Sequence, residues 1–376
     1  MSIKVTGAVL ETLGLPAPYA QSQPLKLRTL DLDPPGRGEL LVQVRAAGLC
    51  HSDLSVIDGS RPRPLPMVLG HEAAGRVMAI GPDTEGYAIG DQVVFSFVPT
   101  CGHCAPCASG RPALCEPGAA ANTAGTLLGG ARRWHLGDAS PNHHLGVSAF
   151  AETTVVSARS AVRIDSSLPA EIAALFGCAV MTGVGAAVNT AHVQPGGSVA
   201  VFGLGGVGLA ALLGARAAGA YPLIAIDVLP SKLELARELG AHHVVAAGED
   251  AVAEIRSITR GGAQITIETV GNEMVLAQAY AATRRGGTTV TAGLPHPSRM
   301  FSVPAVSLVA EERTIKGSYM GSAVPSRDIP RYVALYRAGL LPVDRLLTHR
   351  LRLDEINAGF DRLALGEAVR QVVLFD

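Results

Sequence analysis

The sequence predicts an α/β chain in two parts, a mostly β region followed by a doubly wound parallel sheet, and three observations carry that expectation. At 376 residues the chain exceeds the length at which one hydrophobic core keeps growing, so two domains are expected. Near Pro195 the texture changes from short apolar runs broken by glycine and proline to strands alternating with alanine- and leucine-rich segments, the pattern of a parallel sheet with crossover helices. Gly203, Gly205 and Gly208 stand between an apolar run and one of those helical segments, where such glycines make a tight strand-to-helix turn.

Taken in order, residues 1–10 carry one lysine and a short apolar alternation. Lacking a long apolar stretch, they read as a first strand rather than a signal peptide. The runs 40–44, 75–80 and 92–98 read as strands among loops, up to about residue 175. Residues 116–141, with their glycines, alanines and arginines, read as a long surface loop of the kind that tends to serve function or contacts. Then come strand 198–202, helix 208–218, strand 223–226, helix 231–239 and strand 243–245. After about residue 322 the pattern turns irregular, and the apolar run 372–375 would make a closing strand. The expected division is therefore 1–179, 180–321, and a return of 322–376 to the first domain.

Hydrophobic residues make up 48% and charged residues 17%, with a formal net charge of -1. That balance offers no polybasic surface for nucleic acid or an anionic membrane. No stretch reads as the roughly 18 to 20 uninterrupted apolar residues of a membrane span, and the expected location is the cytoplasm. Of six cysteines, four fall within fifteen positions, which favours thiolates on a metal in a reducing compartment over disulfides.

Those four are Cys101, Cys104, Cys107 and Cys115. Two-residue gaps let successive sulfurs turn toward one centre, and four thiolates meet the tetrahedral demand of a closed structural zinc site. The other two cysteines, Cys50 in Gly-Leu-Cys-His-Ser-Asp and Cys178 in Phe-Gly-Cys, join His71 and Glu72 in Gly-His-Glu. Two thiolates and one imidazole leave a fourth zinc position open, as a catalytic site requires. In Gly203-Leu204-Gly205-Gly206-Val207-Gly208 the glycines admit a pyrophosphate to the amino end of the following helix. Asp227 follows Gly208 by 19 residues at the end of the second strand. There a carboxylate accepts hydrogen bonds from the adenosine ribose and repels a 2′-phosphate, favouring NAD over NADP in a Rossmann-type domain.

In this order the three constellations resemble the medium-chain, zinc-dependent alcohol dehydrogenase family, over nearly the whole chain. The segments Gly70-His71-Glu72-Ala73-Ala74-Gly75, His143-His144-Leu145-Gly146, Thr182-Gly183 and Val369-Arg370 also fall at family-like places. The resemblance implies a GroES-like, mostly β catalytic domain joined to the nucleotide-binding domain, with substrate and nicotinamide meeting between them. It implies two zinc ions per chain. Cys50, His71 and Cys178 would hold the catalytic one, Glu72 would be available as a transient ligand, and Asp53 would orient His71, as metal-bound histidines need. Ser52 would touch the substrate oxygen; His51, Thr182, Lys232 and Arg370 would face the coenzyme. The implied reaction is hydride transfer between a primary or secondary alcohol and NAD, giving an aldehyde or ketone, by a homodimer.

Two positions depart from the family pattern. Ser55 stands where several members carry a histidine at the outer end of a proton relay. Gly118 stands where the glutathione-dependent formaldehyde dehydrogenase branch carries an arginine. Two rival readings are a zinc-free quinone or enone reductase of the same superfamily, which lacks the metal ligands, and a nucleotide-binding sensor that keeps only the fold.

Overall fold

In the computed structural model, which describes residues 1–375, the chain divides into two units. One comprises Met1–Cys178, Val324–Arg331 and Leu347–Asp376; the other comprises Ala179–Ala323 and Tyr332–Leu346.

The first unit is built on two sheets. Among the described residues one has five strands, in the order Trp134–His135, Leu25–Leu32, Ile3–Leu10, Met67–Val68, Asn142–His143. The other orders Ala161–Ile164, Gln92–Phe95, Glu72–Ile80, Glu39–Gly48, Arg370–Leu374, Leu347–Leu351, with Thr153–Ser157 also paired to Glu39–Gly48. Alternation along Glu39–Gly48 turns Leu40, Val42 and Val44 into a core shared with Phe95, Phe150, Phe360 and Val373, as a period of two dictates. The closing strand Arg370–Leu374 pairs antiparallel with Glu39–Gly48, Val372 opposite Gly48. The tail thereby reaches the strand that leads to Cys50.

The second unit carries six parallel strands, Val199–Phe202, Leu223–Asp227, His243–Ala246, Ala263–Glu268, Thr283–Thr291 and Thr314–Gly317. Their spatial order is third, second, first, fourth, fifth, sixth, the doubly wound order in which nucleotides bind at the carboxyl ends of the strands. Every residue of Val199–Phe202 and Leu223–Asp227 is buried, because helices cover both faces of such a sheet. The helices Gly206–Ala217 and Pro230–Glu238 follow the first two strands.

Two expectations need correction. The segment 116–141 is not an open loop. It contains the helix Glu116–Ala124, ended by Gly125 in the left-handed conformation, and the strand Trp134–His135, with Trp134 fully buried. Arg133 clamps it to Glu39 at 2.8 Å and His135 to Asp33 at 2.8 Å. Second, Tyr332–Leu346 groups with the nucleotide unit instead of returning with 322–376. Leu341, Val343 and Leu346 are buried there, Val343–Leu346 packs on helix Gly206–Ala217, and the Tyr332 hydroxyl accepts a hydrogen bond from Asn189. One helical run, Ala170–Thr190, is long and apolar enough to cross a membrane, although Glu171, Thr182 and Asn189 interrupt it. Its apolar window is 89% buried inside the protein, so its hydrophobicity serves the core.

Candidate functional site

Cys50 sits where the strand Glu39–Gly48 gives way to the helix His51–Ile57, in extended conformation as the residue capping that helix. His71 follows Gly70, whose φ is +91° and whose missing Cβ would otherwise meet the Phe150 nitrogen at 2.6 Å. Only glycine fits there. Cys178 lies in a π-helical turn, Phe176–Val180, an irregularity frequent at functional sites. These three elements bring the two sulfurs and an imidazole nitrogen within 4.8 Å of one another, all buried, with Cys178 Sγ 3.5 Å from His71 Nε2. Ligand atoms around one tetrahedral zinc are separated by about 3.4 to 3.8 Å, given Zn–S near 2.3 Å and Zn–N near 2.0 Å. The donor set and its spacing therefore fit zinc with one position open.

The surroundings support that fit. Both oxygens of Glu72 are buried without a hydrogen-bond partner, and the nearest cation, Arg370 Nη2, is 3.4 Å away. Burial pushes the Glu72 carboxyl up to about 7 against the attraction of Arg370. The Cys178 hydrogen bond, aided by His71 and Arg370, outweighs burial and holds the Cys50 thiol well below its ordinary value. Cys178 is pushed well above its own by the bond it gives Cys50 and by burial. Without a cation the pair keeps a proton; with one, both can be thiolates. Burial lowers His71, but the Asp53 charge and hydrogen bond overcome it and raise the imidazole well above 6.5. Asp53 faces the far nitrogen, with His71 Nδ1 3.1 Å from its carboxylate.

Ser52 is half-buried with its Oγ 3.9 Å from Cys50 Sγ. Ser55 donates its hydroxyl to the His51 carbonyl at 2.8 Å, and His51 is exposed. Arg370, expected to face the coenzyme, is buried. Its Nη1 donates to the Leu49 carbonyl at 3.2 Å and its Nη2 lies 3.4 Å from the Glu72 carboxyl group.

Cys101, Cys104, Cys107 and Cys115 likewise converge within 4.8 Å, and none is in a disulfide. Backbone N–H groups of His103 and Cys104 donate to Cys101 Sγ, and those of Cys101 and Gly118 to Cys115 Sγ. The bond from His103, with that from Cys104, brings Cys101 down to about 6, while burial drives Cys107 up to about 12. All four positions of an ion here would be filled by protein, leaving no room for a substrate.

In the nucleotide unit Gly203 has φ +85°, and a Cβ on Gly208 would stand 1.8 Å from the Gly203 oxygen, so helix and strand approach only because Gly208 has none. Nothing lies within 4 Å of the Cβ position of Gly205, which leaves the loop open to a phosphate. Asp227 Oδ2 accepts from Leu204 N at 2.7 Å and Oδ1 from Leu229 N at 3.0 Å, each oxygen keeping a lone pair for a ribose hydroxyl. Lys232 is half-buried at the start of the next helix, and Thr182 is buried with its hydroxyl unpartnered.

Residues without an assigned role in the sequence also appear. Thr269 Oγ1 donates to the Phe202 and Gly203 carbonyls, and the buried Glu268 accepts from Val270 N and Gly271 N. His144 brings Nδ1 within 3.1 Å of Asp53 Oδ1. In the sequence His144 was marked only as part of the family-like segment His143-His144-Leu145-Gly146, without a role.

Residues 36–166 match the alcohol dehydrogenase GroES-like domain and residues 206–338 the zinc-binding dehydrogenase domain. A putative alcohol dehydrogenase D of Mycobacterium tuberculosis is 39% identical, over 99% of this chain and 100% of that protein. An NDMA-dependent alcohol dehydrogenase of Amycolatopsis methanolica is 38% identical over 99% of both chains. The crystal structure of benzyl alcohol dehydrogenase from Acinetobacter calcoaceticus superposes with a TM-score of 0.93 at 34% identity, covering 100% of both chains. With a GroES-like unit and a doubly wound nucleotide unit each matched in place, the chain belongs to the medium-chain, zinc-dependent alcohol dehydrogenase family.

Proposed function

We propose that this alcohol oxidoreductase moves a hydride between a primary or secondary alcohol and NAD, giving an aldehyde or ketone, with two zinc ions per chain. The observation that carries the reading is the buried convergence of Cys50, His71 and Cys178 with one position left open. Zinc held there supplies Lewis acidity, making a hydroxyl in the open position a far stronger acid, and NAD supplies the hydride acceptor. Asp53 fixes the His71 tautomer, with the proton on Nδ1 and the Nε2 lone pair toward the centre. Glu72 lies behind the ligands as a further oxygen donor. Ser52 is the first stop for the alcohol proton. His51, Thr182, Lys232, Arg370 and residues Gly203 to Gly208 hold the dinucleotide, and the four-cysteine site holds its own loop.

Asp227 selects the coenzyme. Asp227→Ala removes the ribose acceptor and the charge that repels a 2′-phosphate together, so kcat/KM with NAD should fall while that with NADP rises. Steady-state assays of both coenzymes test this, and a wild-type preference for NADP would overturn it. NDMA belongs in the same assays because the Amycolatopsis relative is NDMA-dependent.

The assembly is a homodimer on this reading, by analogy with family members that keep a long segment after the structural cysteines. Light scattering should give twice the mass of the 38.7 kDa chain; a tetramer would contradict it.

A further inference from the structure

Asp53 faces two imidazoles. It is completely buried, accepts from Gly70 N at 3.1 Å, and places its carboxylate 3.1 Å from His71 Nδ1 and 3.1 Å from His144 Nδ1. His144 Nδ1 is buried without a well-formed hydrogen bond, and the Asp53 carboxylate lies 3.1 Å from it. A buried donor without an acceptor is costly, and the carboxylate in front of it is the acceptor at hand. The two rings pack edge to face, 5.5 Å apart at 88°. Any aromatic ring could pack that way, whereas only a donor can serve Asp53.

The loop that carries His144 is tied to the segment that carries His71. His144 N donates to Ser148 Oγ at 2.9 Å, and Ser148 Oγ donates to the Val68 carbonyl at 2.7 Å. Ala149 N and Phe150 N donate to the Gly70 and Leu69 carbonyls, each at 3.0 Å. To make this turn, Leu145 and Ser148 adopt φ of 51° and 52°, a conformation costly for residues other than glycine and kept only where surrounding contacts demand it.

We propose that His144 is a positioning residue: through Asp53 it holds the aim of His71 and so the hold of Cys50, His71 and Cys178 on their metal. A carboxylate gripped by three donors cannot swing away from His71, and the His71 Nε2 lone pair stays directed at the centre. The inference rests on the zinc reading of that centre.

Zinc retention by the full-length protein, read with a chromophoric chelator, tests it. His144→Phe keeps a packing ring and removes the donor; it should loosen one of two zincs by about 10- to 100-fold, the range for losing an outer-shell partner of a ligand. His144→Asn restores an N–H near the place of Nδ1 and should recover most of that loss. The four-cysteine zinc should be unchanged in both, reporting that the fold is intact. In the wild-type protein, nitrogen NMR of the imidazoles should place the neutral-ring proton of His144 on Nδ1, a readout that needs no variant. Equal retention by His144→Phe and wild type, an equal loss in both variants, or a proton on Nε2 would overturn the proposal alone. A wild-type chain that binds only one zinc would overturn the underlying reading as well.

Discussion

Cys178→Ser is expected to lose turnover by about a thousandfold or more while the protein stays folded. Lewis-acid stabilisation is worth several kcal/mol, and each ~1.4 kcal/mol is tenfold in rate. Serine is nearly the size of cysteine, so packing around this buried position changes little. Its hydroxyl is a harder and far weaker acid than a thiol and does not replace a thiolate on zinc. Cys104→Ser should behave in the opposite way. It opens a site whose ion contributes folding energy, so thermal stability falls first and activity follows only as the loop loosens. Measuring kcat/KM with one alcohol alongside thermal unfolding separates the two, and ordinary activity in Cys178→Ser would contradict the assignment.

Ser52→Ala should depress kcat by roughly a hundredfold, the scale of losing a positioned proton-transfer group. The Ser52 hydroxyl is the one beside Cys50 Sγ, at 3.9 Å, and it can take the alcohol proton only while handing its own onward. Ser55 is engaged elsewhere, donating to the His51 carbonyl one helical turn back, so Ser55→Ala should change turnover little. Steady-state rates of both variants with one alcohol decide this. An unimpaired Ser52→Ala would sink the relay, and a large loss in Ser55→Ala would place its outer end at that hydroxyl.

Much of this was legible because it is written locally. The strand and helix starts around Gly203 and Asp227 follow from a period of two giving way to apolar helix, with glycines at the turn. The cysteine cluster follows from spacing alone, and Cys50, His71 and Cys178 from their short motifs and the family they resemble. What escaped depends on tertiary contact. Glu116–Ala124 offers alanines, a proline and a glycine but no clear apolar stripe, and its cap is the Cys115 sulfur accepting from Gly118 N, not one of the Ser, Thr, Asp or Asn residues that usually announce a helix start. The Ala170–Thr190 run is mostly apolar because 89% of its most apolar window is buried, as a core helix is. His144 meets Asp53 across 91 residues of sequence, by way of a left-handed turn that no periodicity announces.

The metal content of the purified chain bears most directly on the central claim, that Cys50, His71 and Cys178 hold a zinc distinct from the one in the four-cysteine loop. Elemental analysis should find two zinc ions per wild-type chain and one per Cys178→Ser chain, the remaining ion resisting the substitution because Cys101, Cys104, Cys107 and Cys115 are untouched. One zinc in the wild-type chain, or two retained in Cys178→Ser, would contradict it.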